Sequence, residues 1–278
     1  MTPHISVIVL NWNGKVLTAE CLKTLQKVTY PNFSLFVVDN GSTDGSVEYM
    51  KNEFPNISLV ELSQNFGYAA GNNRGFDAIS SNNDSSHFVL FLNNDTLVES
   101  DFLDELANGI TRFGSDHIYS PKTLYADHPK HIWYAGGTIN LSLAIVEHVG
   151  IREPDGPGHA KDIQTDFVSG CSLLISTEKF KKLNGFDESF GMYSEDVDLC
   201  LRAAKMGSSC YMIANSKIFH KVSASMGGNW SFRKNLRKLR SLMKLIQRHR
   251  GVLVMIMSTV SLIYQIPRQY FNSRKFIQ

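Results

Sequence analysis

The sequence predicts an α/β fold: a mostly parallel central sheet with helices on both faces, plus a C-terminal helical tail. Three observations carry this. Short apolar runs rich in β-branched residues alternate with segments of helical period through the first half of the chain. Each of three polar clusters, Asn11-Trp12-Asn13, Asp39-Asn40-Gly41-Ser42 and Asn93-Asn94-Asp95, falls just after one of those runs. With 278 residues, 43% of them hydrophobic, the chain can bury a full core.

The elements follow in order. Residues 5–10 read as a strand. Leu17, Cys21, Leu22, Leu25 and Val28 then repeat at helical spacing until Pro31. A second strand is predicted at 35–38. Asp44 can cap a helix that Pro55 closes. Strand 57–62, helix 69–80 and strand 88–92 come next, and Ser100 is the expected N-cap of a helix to 113. Residues 149–163 are a Gly/Pro-rich loop. Beyond it the pattern predicts strand 167–175, helices 177–183 and 195–206, and strand 209–213. In parallel sheets of this kind ligands bind at the carboxyl ends of the strands, where the three polar clusters lie.

Charge is distributed unevenly. All 26 acidic residues lie at or before Asp198, with 13 of the 28 Lys and Arg, so residues 1–198 carry −13. Residues 199–278 carry 15 bases and no acid, the polarity of a tail that meets an anionic surface. The first residues have no basic region ahead of the apolar run and no small-residue cleavage site, so no signal peptide is expected. Cys21, Cys171, Cys200 and Cys210 lack CxxC spacing and read as buried thiols.

Four stretches carry candidate chemistry, each with a plainer reading beside it. Asp39 in VVDNGSTDGS can accept a hydrogen bond from the imide N–H of a pyrimidine, or simply serve a turn. In NFGYAAGNNRG, the spacing of Gly67, Gly71 and Gly75 is not the dinucleotide fingerprint. Glycines at a helix start let a ligand approach the backbone, and Arg74 suits a base carbonyl or phosphate. The plainer reading is a glycine-rich loop with a surface arginine. In GFDESFGMYSEDVDLCLR, Glu195, Asp196 and Asp198 crowd a helix start, as the helix dipole favours or as a general base requires. Arg202 can pair with Asp198 at i, i+4. In FHKVS, His220 is a plausible nitrogen ligand for a divalent metal or a structural histidine, and Lys221 could meet phosphate.

Together and in this order, SVIVLNWNG, VVDNGSTDGS, NFGYAAGNNRG, FLNNDT, SGCSLLI, GFDESFGMYSEDVDLCLR and FHKVS resemble glycosyltransferase family 2, and within it the rhamnosyltransferase-like branch that builds bacterial surface polysaccharides. The resemblance covers residues 5 to about 225. It implies a GT-A fold with a Rossmann-like sheet, a catalytic domain over residues 1–225, and an inverting, metal-dependent transfer from a nucleoside-diphosphate sugar. Asp39, with Arg74 beside it, resembles the pyrimidine-binding position. Asn11, Asn13, Gly67, Asn93, Asn94 and Lys221 fall in the same nucleotide-sugar-binding motifs. Asp95 resembles the residue that holds Mg²⁺ or Mn²⁺ on the diphosphate, and His220 one that reaches the metal. Asp196 resembles the catalytic base, with Glu195 beside it. Asn93 departs from the family by replacing the first Asp of Asp-x-Asp. The expected donor carries dTDP or UDP, with rhamnose the first sugar considered. The expected acceptor is a glycan or lipid-linked glycan.

The tail, residues 226–278, is read separately. Phe232, Leu236, Leu239, Met243 and Ile246 recur at spacings of four and three among basic residues, the pattern of a helix lying on anionic lipid. The apolar stretch 251–266 would span only about 24 Å as a helix, short of a bilayer core of about 30 Å. The expectation is a cytoplasmic protein held peripherally on the inner face of the cell membrane through this tail. Packing of the helix on the core and nucleic-acid binding are the competing readings, and no nucleic-acid partner is expected. Two further readings are a non-catalytic nucleotide-sugar-binding protein and a nucleotidyltransferase. Intact Asp95 and Asp196 oppose the first. The charge-poor segment 11–15 opposes the second, which needs a basic phosphate-gripping loop.

Overall fold

A computed structural model describes residues 2–81, 87–222 and 232–258; the predicted apolar residues 259–266 and the side chain of Phe232 lie outside them. The parallel half comprises β1 (Ile5–Asn11), α1 (Lys15–Leu25), β2 (Phe33–Asp39), α2 (Ser46–Glu53), β3 (Ser58–Glu61), α3 (Tyr68–Ser81) and β4 (Phe88–Asn93). There follow β5 (Thr96–Val98), α4 (Phe102–Phe113), β6 (Ile118–Tyr125), β7 (Ile132–Tyr134), the hairpin β8 (Gly137–Asn140) and β9 (Ile145–His148), and β10 (Ile163–Thr165). The chain continues through β11 (Ser172–Ser176), α5 (Thr177–Lys182), α6 (Glu195–Lys205), β12 (Cys210–His220) and α7 (Phe232–Arg250).

Among the described residues the main sheet has ten strands, in the order β10-β12-β6-β11-β4-β1-β2-β3, with β5 on β12 and β7 on β6. The β3-β2-β1-β4 half is parallel, and β11 is antiparallel to β4. Strand alternation explains why both faces are covered. Val7, Val9, Leu90 and Leu92 join one buried cluster with Leu22, Leu25, Phe102 and Leu106 of α1 and α4. Ile8, Val89 and Phe91 join the opposite cluster with Phe76, Phe180 and Leu199 of α3, α5 and α6.

The structure moves some predicted boundaries. Asp101, not Ser100, occupies the N-cap of α4; the Ser100 carbonyl accepts the backbone N–H and hydroxyl of Thr29 instead. The predicted strand 167–175 begins only at Ser172, because residues 169–172 turn, with Ser172 N–H bonded to the Ser169 carbonyl at 3.2 Å. β12 runs on to His220, past the predicted end at 213, across an irregularity between Ile213 and Lys217. Gly45, not Asp44, occupies the N-cap of α2; Asp44 stands one residue earlier and accepts the Ser46 N–H at 3.0 Å.

The basic helix α7 packs on the hydrophobic core beside the sheet. Leu245 and Ile246 are fully buried there, and Leu242 and Met243 partly. Leu239, read as part of the apolar stripe, is 42% exposed. The buried face is therefore rotated from the one the spacing predicted. No helix among the described residues is long and apolar enough to cross a membrane.

Candidate active site

Asn11 and Asp39 are the last residues of adjacent parallel strands and stand opposite each other in register. Asn11 is fully buried and organises a polar network at the strand ends. Its Nδ2 donates to Asp39 Oδ2 at 2.8 Å and to Ser42 Oγ at 3.1 Å. Its Oδ1 accepts from Gly14 N–H, the Thr18 hydroxyl and Asn94 Nδ2. Asp39 Oδ1 accepts the Ser42 N–H at 2.8 Å. Asn13, at φ 49°, accepts the Thr43 N–H at 2.7 Å. Asn11, Asn13, Asp39 and Asn94 thus form one connected network. A Cβ at Gly14 would lie 2.4 Å from Asn94 Nδ2, so only glycine fits there.

Asn93 ends β4, and its N–H donates to the Cys171 carbonyl at 2.9 Å. The next two residues diverge. Asn94 turns back to Asn11 and Thr18. Asp95 meets β12, because Thr96 pairs with His220 in the β5–β12 ladder and Lys221 N–H bonds to the Asp95 carbonyl at 2.8 Å. His220 Nε2 lies 3.2 Å from Asp95 Oδ1. Trp133 stands edge-on to both His220 and His148, at centroid distances of 4.4 and 4.6 Å. Burial, together with the nearby His220, pushes the His148 imidazole down to about 4. The Lys221 amine pairs with Glu20 at 2.5 Å.

The third group is the first turn of α6. Asp196 Oδ2 accepts the Gly170 N–H at 2.7 Å and Oδ1 its neighbour Val197's at 2.8 Å. Burial raises the Asp196 carboxyl above its ordinary value, and the two N–H groups temper that rise. Burial and the adjacent Asp196 push Glu195 well above the usual carboxylate range. Tyr68 donates to the Gly170 carbonyl at 2.6 Å. Burial and then the charges of Glu195, Asp196, Cys171 and Asp95 hold its hydroxyl well above its usual value. The segment Gly170-Cys171 therefore links the α6 carboxylates to the end of β4.

Some predicted site residues serve other contacts. Arg74 stacks over Phe66 at 4.0 Å and bonds to the Ala70 carbonyl and Glu188. Gly71 and Gly75 admit the sheet rather than a ligand: a Cβ would lie 2.9 Å from Leu10 Cδ1 at the first and 2.5 Å from Val38 Cγ2 at the second. Gly67, at φ 86°, gives its carbonyl to Asn40 Nδ2. Sequence reasoning missed Thr18, Ser42, Tyr68, Gly170, Trp133 and His148. Ser42 and Gly170 lie inside quoted motifs; Trp133 and His148 lie in a stretch with no readable periodicity.

The four cysteines are free and buried, and burial pushes the Cys21 thiol up to about 12, away from the reactive thiolate form. No group of three or more His, Cys, Asp or Glu side chains poised for a metal occurs among the described residues; Asp95 and His220 form a pair.

A polar network at the strand ends, the Asp95–His220 pair and the adjacent carboxylates of Glu195 and Asp196 together mark the candidate active site. Residues 6–183 match the family described as Glycosyl transferase family 2, and the chain belongs to that family. It is 29% identical over 234 residues to the O-antigen biosynthesis protein RfbC of Myxococcus xanthus, an alignment covering 81% of this chain but 18% of that protein. It is 24% identical over 245 residues to the N-acetylglucosaminyl-diphospho-decaprenol L-rhamnosyltransferase of Mycobacterium tuberculosis, covering 82% of this chain and 79% of the relative. Its fold matches the crystal structure of GalNAc-T7 with UDP, GalNAc and Mn²⁺ at TM-score 0.66 and 13% identity, over 88% of this chain and 48% of that one. The fold is GT-A, as the sequence motifs implied.

Proposed function

We propose that the chain transfers a sugar, rhamnose first among candidates, from a nucleoside-diphosphate sugar to a hydroxyl of a glycan or lipid-linked glycan, with inversion, in the assembly of a bacterial surface polysaccharide. The observation that carries this is the convergence of Asp95, His220 and Asp196 around the carboxyl end of β4, through Gly170-Cys171 and the β5–β12 ladder. The O-antigen protein and the mycobacterial rhamnosyltransferase among its relatives support the substrate class.

Asp39 and the Asn11 network hold the pyrimidine side of the donor. Asp196 takes the proton of the acceptor hydroxyl, and the freed oxygen attacks the anomeric carbon from the face opposite the diphosphate, which departs with the bonding electron pair. General-base assistance of this kind contributes about 10²–10⁴ in rate. Asp95 and His220 fit Mg²⁺ or Mn²⁺ as a partial ligand set, because such sites commonly use one or two carboxylates and take their remaining oxygens from phosphate and water. The ion's contribution when bound is charge neutralisation on the leaving diphosphate.

The exposed basic residues Arg237, Arg240 and Arg250, with the exposed apolar side chains Val252, Leu253, Ile256 and Met257, support peripheral attachment to an anionic membrane surface.

The test is a donor screen. Purified protein with Mg²⁺ or Mn²⁺ is offered dTDP- and UDP-sugars, and diphosphate release and thermal shift are read. One donor class should both stabilise the protein and turn over. Failure of every donor in both readouts contradicts the proposal.

A further inference from the structure

The segment leading into the catalytic turn is strained. Tyr193 and Ser194, just before Glu195, both adopt left-handed backbone, at φ 76° and 67°. Non-glycine residues persist there only when their surroundings hold them. Much of that hold comes from α7. Ser241 Oγ donates to the Met192 carbonyl, and the Lys244 amine donates to the Ser189 carbonyl at 2.6 Å. Lys238 lies over the Tyr193 ring and Lys244 over Phe190, while Arg248 pairs with Asp187.

The deepest contact is with Asp198, fully buried one position beyond Val197. Its Oδ2 receives Arg202 Nε at 2.7 Å, and its Oδ1 receives His249 Nε2 at 2.9 Å, with Arg248 Nε at 3.4 Å. Arg202 also bonds to the carbonyls of Leu183 and Gly185. Arg202 lies on α6 itself, so the ties from Asp198 to α7 are His249 at 2.9 Å and the longer Arg248 contact at 3.4 Å, and His249 makes the closer of the two. The His249 side chain is 4% exposed. Two residues along a helix point to nearly opposite sides, so Asp198 faces α7 while Asp196 faces Gly170.

We propose that His249 is a positioning residue for sugar transfer: by holding Asp198 from behind, it fixes the first turn of α6 and so the direction in which Asp196 presents its carboxylate. This rests on Asp196 being the base. A displacement of about 1 Å at a reacting group can cost about 100-fold.

The experiment compares His249→Leu with His249→Gln in the full chain, whose glutamine amide can still donate to Asp198. Steady-state kcat and donor KM are measured, with UDP and dTDP binding stoichiometry to count folded sites. The Leu variant should lose about 10- to 100-fold in kcat at unchanged donor KM and full stoichiometry. The Gln variant should recover most of it. Wild-type kcat in the Leu variant, or equal loss in both, overturns the proposal. If the Leu variant does not fold, His249→Asn, whose shorter amide stops short of Asp198, takes its place under the same two outcomes. Asp196→Asn is run alongside. Normal turnover in that variant removes the base assignment itself, whereas an inactive Asp196→Asn beside a normal His249→Leu removes only the role of His249.

Discussion

Asp196 and Asp198 lie two positions apart on α6 and face different worlds: Asp196 accepts the Gly170 N–H on one side, and Asp198 is clamped by Arg202 and His249 on the other. One sequence cluster of carboxylates is thereby divided between the Gly170 side and the α7 side of α6. Their protonation follows: burial raises Asp196 despite its backbone N–H partners, whereas the hydrogen bonds from His249 and Arg202 outweigh burial and lower Asp198.

Asp198→Ala should damage the fold more than any other single carboxylate change in the cluster. Removing one member of a buried ion pair strands the others and costs about 3–5 kcal/mol. Because the folded value of Asp198 is lowered, its contribution is present above the unfolded value and is lost as pH falls through the folded one. Denaturant midpoints should therefore separate mutant from wild type widely at pH 7 and progressively less toward pH 3. A constant gap across that range would contradict the linkage.

Glu195→Gln should do the opposite. The folded value of Glu195 is raised, so its contribution to stability is full below the unfolded value and falls as pH rises through the folded one. The Gln variant cannot ionise, so it should melt higher than wild type at pH 8, by about 2–4 °C for each kcal/mol relieved, and lose that advantage near pH 4. A variant that melts lower than wild type at pH 8 would show that the Glu195 carboxylate is already paired there.

Asn11→Ala should unravel the polar network at the strand ends. It leaves Asp39, Thr18 and Asn94 short of a buried partner, and each unsatisfied buried group costs about 1–3 kcal/mol. Differential scanning calorimetry should show a clear fall in melting temperature, and isothermal titration should show weakened UDP or dTDP binding. Unchanged nucleotide affinity would move the nucleotide away from this network.

Divalent metal should bind weakly to the free protein and tightly in the presence of a nucleoside diphosphate, since Asp95 and His220 supply only part of a coordination shell. Titration of Mn²⁺ followed by its paramagnetic relaxation, with and without UDP, reads this directly. Asp95→Ala should remove the nucleotide-dependent component. Tight binding without nucleotide would require further protein ligands.

The parallel half was legible because β1, β2 and β4 alternate side chains between two apolar faces and end in polar clusters, a pattern set by local sequence. β6 was not. Pro121 and Lys122 sit in its middle, and both read as non-strand. Yet Lys122 is buried because Asp155 and the His159 carbonyl, contributed by the distant loop 149–163, receive its ammonium. The candidate site divides likewise. Asp39, Asp95 and Asp196 announce themselves at strand ends and at a helix start. Trp133 and His148 carry no pattern, because a hairpin and a short edge strand place them. The helical period revealed α7 but not its burial: its partners Asp187, Ser189, Met192 and Asp198 are some fifty residues away, and they select Leu245 and His249 over Leu239.

The central claim is that Asp196 removes the acceptor proton. The direct measurement is kcat of Asp196→Asn with the donor found by the screen, alongside thermal stabilisation by UDP or dTDP to show an intact nucleotide site. The account predicts a loss of about 10²–10⁴ in kcat with nucleotide stabilisation unchanged. Near-normal turnover in that variant would contradict it and pass the role to Glu195.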